Sequence, residues 1–308
     1  MNTTSSVLQQ WSRDCSDLAA SLAPRTIAIT LGRHRSVSGM RWRGPLAVTA
    51  AEALAGSDEV LVICDHGEQR APVVACDLAT DVAVLRLDAG ESVSAAMAAD
   101  PALTAGAGVV IVGRSQRGPL VGFGAVRAVG PAWRSRRGGA IAQRLEFEAS
   151  LDGRFEGALV ADLAGAAKAM LVPGPRGRLL GIPAATIERI VAAVEQHGYL
   201  PRPYLGVRLQ PLWLDEITRA SWQRSAPSVA AVAGVAPDSP AQASGLAAGD
   251  LLDAIDGIAV HDVEDFAAQI AASAPGRRLA LRVRRGGEPL TLEVTLAEWR
   301  PPQRHGGT

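Results

Sequence analysis

The sequence predicts a mainly β chain built in two parts. Three observations carry this. Short apolar runs alternate with Gly, Pro and Asp turns through residues 26–174, one helix-period segment closes that series, and a second β-rich stretch follows with another rhythm. The first runs are TIAITLG (26–32), PLAVTA (45–50), EVLVIC (59–64), APVVAC (71–76) and VAVLRL (82–87). AGVVIVG (107–113), LVGFGAVRAVG (120–130), IAQRLEFEA (141–149), GALVAD (157–162) and AKAMLVPG (167–174) continue it. With 19 Pro and 32 Gly in 308 residues to make turns, this spacing argues for an all-β barrel or sandwich. The segment ATIERIVAAVEQHG (185–198) then reads as a helix. Ile187, Ile190, Val191 and Val194 recur at helical spacing and Gly198 supplies a C-terminal stop.

The second part, residues 203–297, opens on the strand YLGVRL and has one predicted helix, DVEDFAAQIAAS (262–273). It closes with RLALRVRR and PLTLEVTLA around Gly286 and Gly287, which suit a hairpin. The domain reading is therefore an N-terminal segment 1–21, a domain over 22–200, a second over 203–297, and a disordered tail 298–308.

Apolar residues make up 48% of the chain but aromatics only 4%, so small aliphatic side chains fill the interior. The formal net charge is zero, which removes the field that would favour nucleic acid or an anionic membrane. Runs such as RSRRGG (134–139) and RHRS (33–36) read as solvated loops. No stretch reaches the roughly 20 apolar residues of a membrane span, and the first residues lack a basic start followed by an apolar run. The expectation is a soluble, cytoplasmic chain, or a periplasmic one if its N-terminus is incomplete. Three cysteines suit a reducing compartment. Cys64 and Cys76 sit on two arms of a hairpin turning near His66 and Gly67, Cys64 opposite residue 69 or so and Cys76 near Ser57, too far apart to pair. No Cys/His spacing points to zinc, and neither a metal nor a cofactor is expected.

The run YLGV…VAPDSPAQASGLAAGDLLDAIDGIAV resembles the PDZ domain of the HtrA/Deg trypsin-like serine proteases, in Tyr204-Leu205-Gly206-Val207 and in its SPA…GL…GD…I.G pattern. Small residues before a strand expose successive backbone N–H groups that can hold a peptide carboxylate, and the following strand, Val207 to Leu209, offers an edge to an extended peptide. Val263, Ala267 and Ile270 fall at i, i+4 and i+7 and are expected to face that groove, unless they only fill the core.

The resemblance extends backwards over residues 22–200. PLAVTAAEAL is similar to the strand ending in TNxHV, CDLATDVAVLRL to the TDLAVL segment, and GIPAATIERIVAAVEQHG to the family's AIP strand and closing helix. It implies a trypsin-like double β-barrel. In the family the His of TNxHV is the base, the Asp of TDLAVL orients it and the Ser of GNSGG attacks. Here Glu52, Asp81 and Phe155 stand at those positions, with Gly153 and Phe155 at the turn whose amides form the oxyanion hole. Phe155 has no nucleophilic atom, and a carboxylate is a weak base beside imidazole. Ser150 lies on the strand leading in, and His34, His66, His197, His261 and His305 fall in expected loops, domain edges or the tail. Glu52, Asp81 and Glu156 form a candidate oxygen site for a metal, with a neutralising ion pair from Arg154 as the simpler role for these charges.

The expectation is therefore a chain that is not an enzyme: a pseudoprotease that binds C-terminal or extended peptides and serves as scaffold or regulator. Its expected partners are peptide segments of other proteins, further copies in a trimer by family analogy, or an active HtrA paralogue, with Trp11 as a candidate contact. Alternatives are an HtrA-type endopeptidase with a rearranged site and a holdase-like chaperone.

Overall fold

Buried apolar positions along short strands close into two barrels in the computed structural model, which describes residues 3–32, 35–54, 56–88, 103–222, 224 and 226–299. The segment 1–21, to which the sequence reading gave no element, is largely helix α1 (Thr3–Leu22). Its Cys15, Ala19 and Leu22, at i, i+4 and i+7, are buried. The first barrel comprises β1 (Thr26–Leu31), β2 (Arg35–Arg43), β3 (Leu46–Thr49), β4 (Glu59–Cys64), β5 (Gly67–Asp77) and β6 (Val82–Arg86), with helix α2 (Ala51–Leu54) after β3. These strands close antiparallel in the order β1-β2-β3-β6-β5-β4.

Strand β2 corrects the reading of RHRS as a loop: Arg35 and Ser36 pair with Leu31 and Thr30. Small residues at its centre hid it. Gly39 is needed because a Cβ there would lie 2.9 Å from the Val48 carbonyl oxygen and 3.0 Å from Ile27. The cysteine geometry is also corrected. The β4–β5 turn is two residues, so Cys64 pairs with Gly67, while Cys76 pairs with Ala83 of β6. Cys15, Cys64 and Cys76 are all free thiols.

The second barrel begins with β7 (Gly108–Ser115) and β8 (Gly118–Gly130). After two short strands, β9 (Trp133–Arg134) and β10 (Ala140–Ile141), it continues through β11 (Arg144–Glu148), β12 (Leu159–Asp162), β13 (Ala167–Pro173) and β14 (Leu179–Pro183). Closure runs β11-β14-β13-β12-β7-β8. The predicted helix is α3 (Ala184–His197), ended by Gly198 at φ 79°. Ile187, Ile190, Val191 and Val194 are buried in one cluster with Val84 of the first barrel and Met170 of the second. On its outer side, the Trp42 indole N–H donates to Glu188 at 2.9 Å, and Arg43 bridges Glu188 and Glu195. The fold is mainly β, with two six-stranded barrels of the trypsin-like kind followed by a PDZ-type domain.

The chain divides into two units, one holding both barrels through Leu200, the other holding residues from Pro201 together with 134–139. The second contains β15 (Arg202–Tyr204), β16 (Val207–Trp213), α4 (Glu216–Ser221), β17 (Ser228–Val235), α5 (Pro240–Ala243), β18 (Leu251–Ile255), β19 (Ile258–Ala259) and α6 (Val263–Ala271). Strands β20 (Arg278–Arg285), β21 (Glu288–Thr295) and β22 (Ala297–Trp299) complete it. Its main sheet runs β16-β17-β18-β20-β21, leaving β16 at an edge, while β22 pairs with β15. Glu298 and Trp299, read as tail, are therefore strand residues because β15 offers them a partner; 300–308, with His305, lie outside the described residues, as does His34. Buried Asp250 ties the GD turn to β20. Burial pushes its carboxyl up, but the Arg285 fork at 2.8 Å and the Ala247 amide at 2.9 Å bring it below the usual range.

Because α3 joins the interiors of both barrels, truncation there is expected to be costly. Ile190→Ala should lower the unfolding free energy by about 2–5 kcal/mol in urea titrations, whereas truncating exposed Glu195 should cost under about 1 kcal/mol.

Candidate functional site

Strands β3 and β6 bring Glu52 and Asp81 together. Asp81, at φ 59°, precedes β6 in a turn held by Asp77, which accepts from the Ala79 amide and the Thr80 hydroxyl. Its Oδ1 accepts the Glu52 N–H at 2.8 Å and its carbonyl the Ala51 N–H at 3.4 Å. Burial first, then the negative charges of Glu52 and Glu156, raise the Asp81 carboxyl against the pull of the Glu52 amide, to about 6 in all. The Glu52 side chain lies at the exposed end of this cluster.

Residues 153–157 form the facing turn. Gly153–Phe155 is a single 3₁₀ turn capped by Asp152, whose carboxylate accepts the Arg154 amide at 2.9 Å and also pairs with its guanidinium. The expected pairing of Arg154 with the site acids is corrected accordingly. Glu156 instead meets Arg35 at 3.1 Å, a partner hidden by a separation of 121 residues. The Phe155 amide donates to the Asp152 carbonyl at 3.1 Å, so it is engaged within the turn. Its ring is buried in the second barrel's core with Phe147, Val126 and Leu171. Ser38, missed by sequence reading, clamps this turn: its amide donates to the Glu156 carbonyl at 2.8 Å and its hydroxyl to the Arg154 carbonyl at 2.6 Å. Ser150 is exposed on the approach to the turn. Among the described residues, no group of three His, Cys, Asp or Glu side chains is arranged to hold a metal ion.

The second candidate site lies in the other unit. Leu205 is buried and Gly206 adopts φ 85°, a conformation in which an added Cβ would collide with Ser239. Ser239 caps α5, its side chain accepting the Gln242 amide, with Pro240 at the first helical position; the sequence reading did not assign this helix. The Leu205 carbonyl accepts from Ala241 and the Gly206 carbonyl from Ala236, which fixes the loop ahead of β16. Val207 and Leu209 are half-buried on β16, and α6 packs beside this strand. Tyr204 and Val263 are half-buried, Ala267 is exposed, and Ile270 is buried in the domain core with Phe266.

These two sites on these two folds define a class: a trypsin-like peptidase domain carrying a PDZ domain. Family models of those descriptions match residues 37–170 (trypsin-like peptidase domain) and 203–296 (PDZ domain). The chain belongs to the HtrA/Deg family. It is 31% identical over 260 residues to a probable periplasmic serine endoprotease, DegP-like, of Brucella suis, covering 81% of this chain and 50% of that protein. A DegP-like protein of Halomonas elongata is 27% identical, with 84% and 56% covered. The chain thus spans about half the length of the curated relatives it matches. Among solved structures, the HtrA-type protease AlgW with decapeptide aligns at TM-score 0.63 and 22% identity, covering 93% and 99%. A serine endoprotease from Yersinia pestis aligns at 0.62 and 21%, covering 92% and 98%. At that identity the likeness speaks for the fold.

Two expectations are corrected by these relatives. They are named serine endoproteases, which points to an enzyme and overturns the reading of the chain as none. That reading inferred a missing reaction from the residue types at two positions, whereas a reaction depends on every group that converges on a site. The relatives are also named periplasmic, which overturns the cytoplasmic reading. No helix among the described residues is long and apolar enough to cross a membrane.

The raised carboxyl of Asp81 has a stability consequence. An acid whose pKa is raised by folding holds its proton more tightly when folded, so the fold weakens as pH climbs from about 4 to about 6 and stays weakened above. Asp81→Asn keeps an acceptor for Glu52 and tolerates the left-handed backbone. In urea unfolding it should gain about 2 kcal/mol over the parent at pH 8 and nothing at pH 4.

Proposed function

We propose that this chain is a periplasmic HtrA-family protein that captures extended polypeptide segments by their C-terminal ends. The observation that carries this is the edge of β16, unpaired among the described residues, which follows left-handed Gly206 and runs beside α6. A peptide strand adds to such an edge by main-chain hydrogen bonds, and its carboxylate meets the amides of the Leu205–Gly206 loop. Tyr204, Leu205, Gly206, Val207 and Leu209 are assigned to that groove with Val263 and Ala267 of α6, and Ile270 supports them from the core. The structurally similar HtrA-type protease AlgW has been solved with a decapeptide, in keeping with this reading. For assembly with further copies or another HtrA-type chain, the fitting surface is the exposed pair Trp11 and Phe123, with ring centroids 6.4 Å apart.

A second activity, peptide-bond hydrolysis, is favoured by the relatives' names and by Asp81. Phe155 offers no nucleophilic atom, so the attacking group we assign is water. The Asp81 carboxylate, raised toward neutrality, takes a proton from it as it adds to the peptide carbonyl, and returns that proton to the departing amine as the C–N bond breaks. Here the acid cluster of Glu52, Asp81 and Glu156 takes the part that the His and Ser positions have in the relatives, a rearranged site.

Titration with a C-terminal peptide library should give carboxylate-dependent binding. Amidating the peptide end or introducing Gly206→Val should weaken it by roughly tenfold or more. Equal binding of amidated peptides would instead identify a holdase. In a parallel assay of unmodified purified chain, cleavage should rise as pH passes through about 6 and vanish in Asp81→Asn. Absence of cleavage at every pH would sink the second activity while leaving the first intact.

A further inference from the structure

Strand β20 and the segment after α4 gather a cluster of arginines around Asp253 of β18, and the peptide groove does not use them. Trp222, Arg224, Asp253, His261, Arg282 and Arg284 line a cavity of about 440 Å³, within the size range of small-molecule sites. No residue of the proposed peptide groove lines it. Asp253 is the one carboxylate in its lining, and it is occupied. Its Oδ1 is 2.9 Å from Arg224 and its Oδ2 is 2.9 Å from Arg282 and 3.8 Å from Arg284. Three guanidinium groups against one carboxylate leave a formal charge of +2 on the lining, counting His261 as neutral.

The arginines are held in place and incompletely satisfied. The Arg224 side chain is 8% exposed and its guanidinium also donates to the Val260 and His261 carbonyls. Arg284 lies over the Trp222 ring, 4.7 Å from its centroid. Yet the Nε–H of Arg224 and that of Arg284 are buried without a hydrogen-bond acceptor among the described residues. A buried charged donor left unpaired costs free energy, and these two, closed off as they stand, recover it when the guanidinium turns to meet an incoming oxygen. Excess positive charge, unspent N–H groups, an aromatic wall and a half-open cavity converge on one ligand chemistry.

We infer that this cavity is a binding site for a phosphate dianion, carried as a monoester on a small organic group. Guanidinium forks match phosphate oxygens in geometry, and two formal charges on the ligand balance the two on the lining. The cavity leaves room beyond a bare phosphate for the ester's organic part, next to Trp222.

The test is isothermal titration calorimetry of the full chain at pH 7.5 and fixed ionic strength, with inorganic phosphate and phenyl phosphate as separate probes. One-to-one binding is expected for both, tighter for phenyl phosphate. Arg282→Gln and Arg284→Gln should each weaken it by about tenfold or more, and Arg284→Lys should restore only part of the loss because the fork is gone. Arg278→Gln, on the same strand but outside the lining, should bind like the parent. Near-ultraviolet circular dichroism checks folding. If Arg284→Gln misfolds, Arg282→Gln decides, since its side chain is half exposed. No saturable heat up to ~10 mM of either probe, or unchanged affinity in folded Arg282→Gln, would overturn the site. Tighter binding of inorganic phosphate would assign the cavity to the free ion and overturn the monoester.

Discussion

The approach of β2 to the turn at residues 153–157 is the constraint on which the first unit depends. An added Cβ on Gly157, at φ 83°, would collide with the Ser38 carbonyl oxygen, so the main chains meet with no side chain between them. Ser38 then serves both sides at once. Its amide and hydroxyl donate to the Glu156 and Arg154 carbonyls, and its carbonyl accepts the Thr49 hydroxyl at 2.7 Å. Arg114 reinforces this junction from β7, reaching the Thr26 and Ala23 carbonyls and Asp65 while almost wholly buried. These partners offset the cost of taking the Arg114 guanidinium out of water.

From this junction follows the electrostatics of the site. The turn brings Glu156 close enough to Asp81 to raise its pKa, and α2 brings Glu52 from the other side. Arg35 meets Glu156 and Asp152 takes Arg154, so neither cation settles on Asp81. Asp81 is left with an amide donor and like charges, an arrangement that suits proton exchange near neutral pH better than permanent ionisation. The second unit treats its acids in the opposite way. Asp250 receives an arginine fork and an amide, and Asp253 has arginine partners on both oxygens. Those acids organise structure; Asp81 is set apart by what surrounds it.

Much was legible in the chain itself because period and turn chemistry are local. While β14 and the YLGV loop came from the family resemblance, the barrel strands other than β2 and β14, and the closing helix with Ile187, Ile190, Val191 and Val194 inward, were read from spacing. Strand β2 was not, because Ser38 and Gly39 interrupt its apolar run where the packing leaves no room for larger side chains. Helix α1 was passed over because its buried face is a narrow stripe of Cys15, Ala19 and Leu22.

By itself, then, the sequence determined the mainly β class, the two-part organisation, and which residue types stand at positions 52, 81 and 155. Only the tertiary structure decided which charges meet. Arg35 reaches Glu156 across 121 residues, and Arg224, Arg282 and Arg284 converge on Asp253 from separate segments. The physical reason is that alternation and propensity act over a few residues, whereas ion pairing and burial depend on distances set by barrel closure and sheet order.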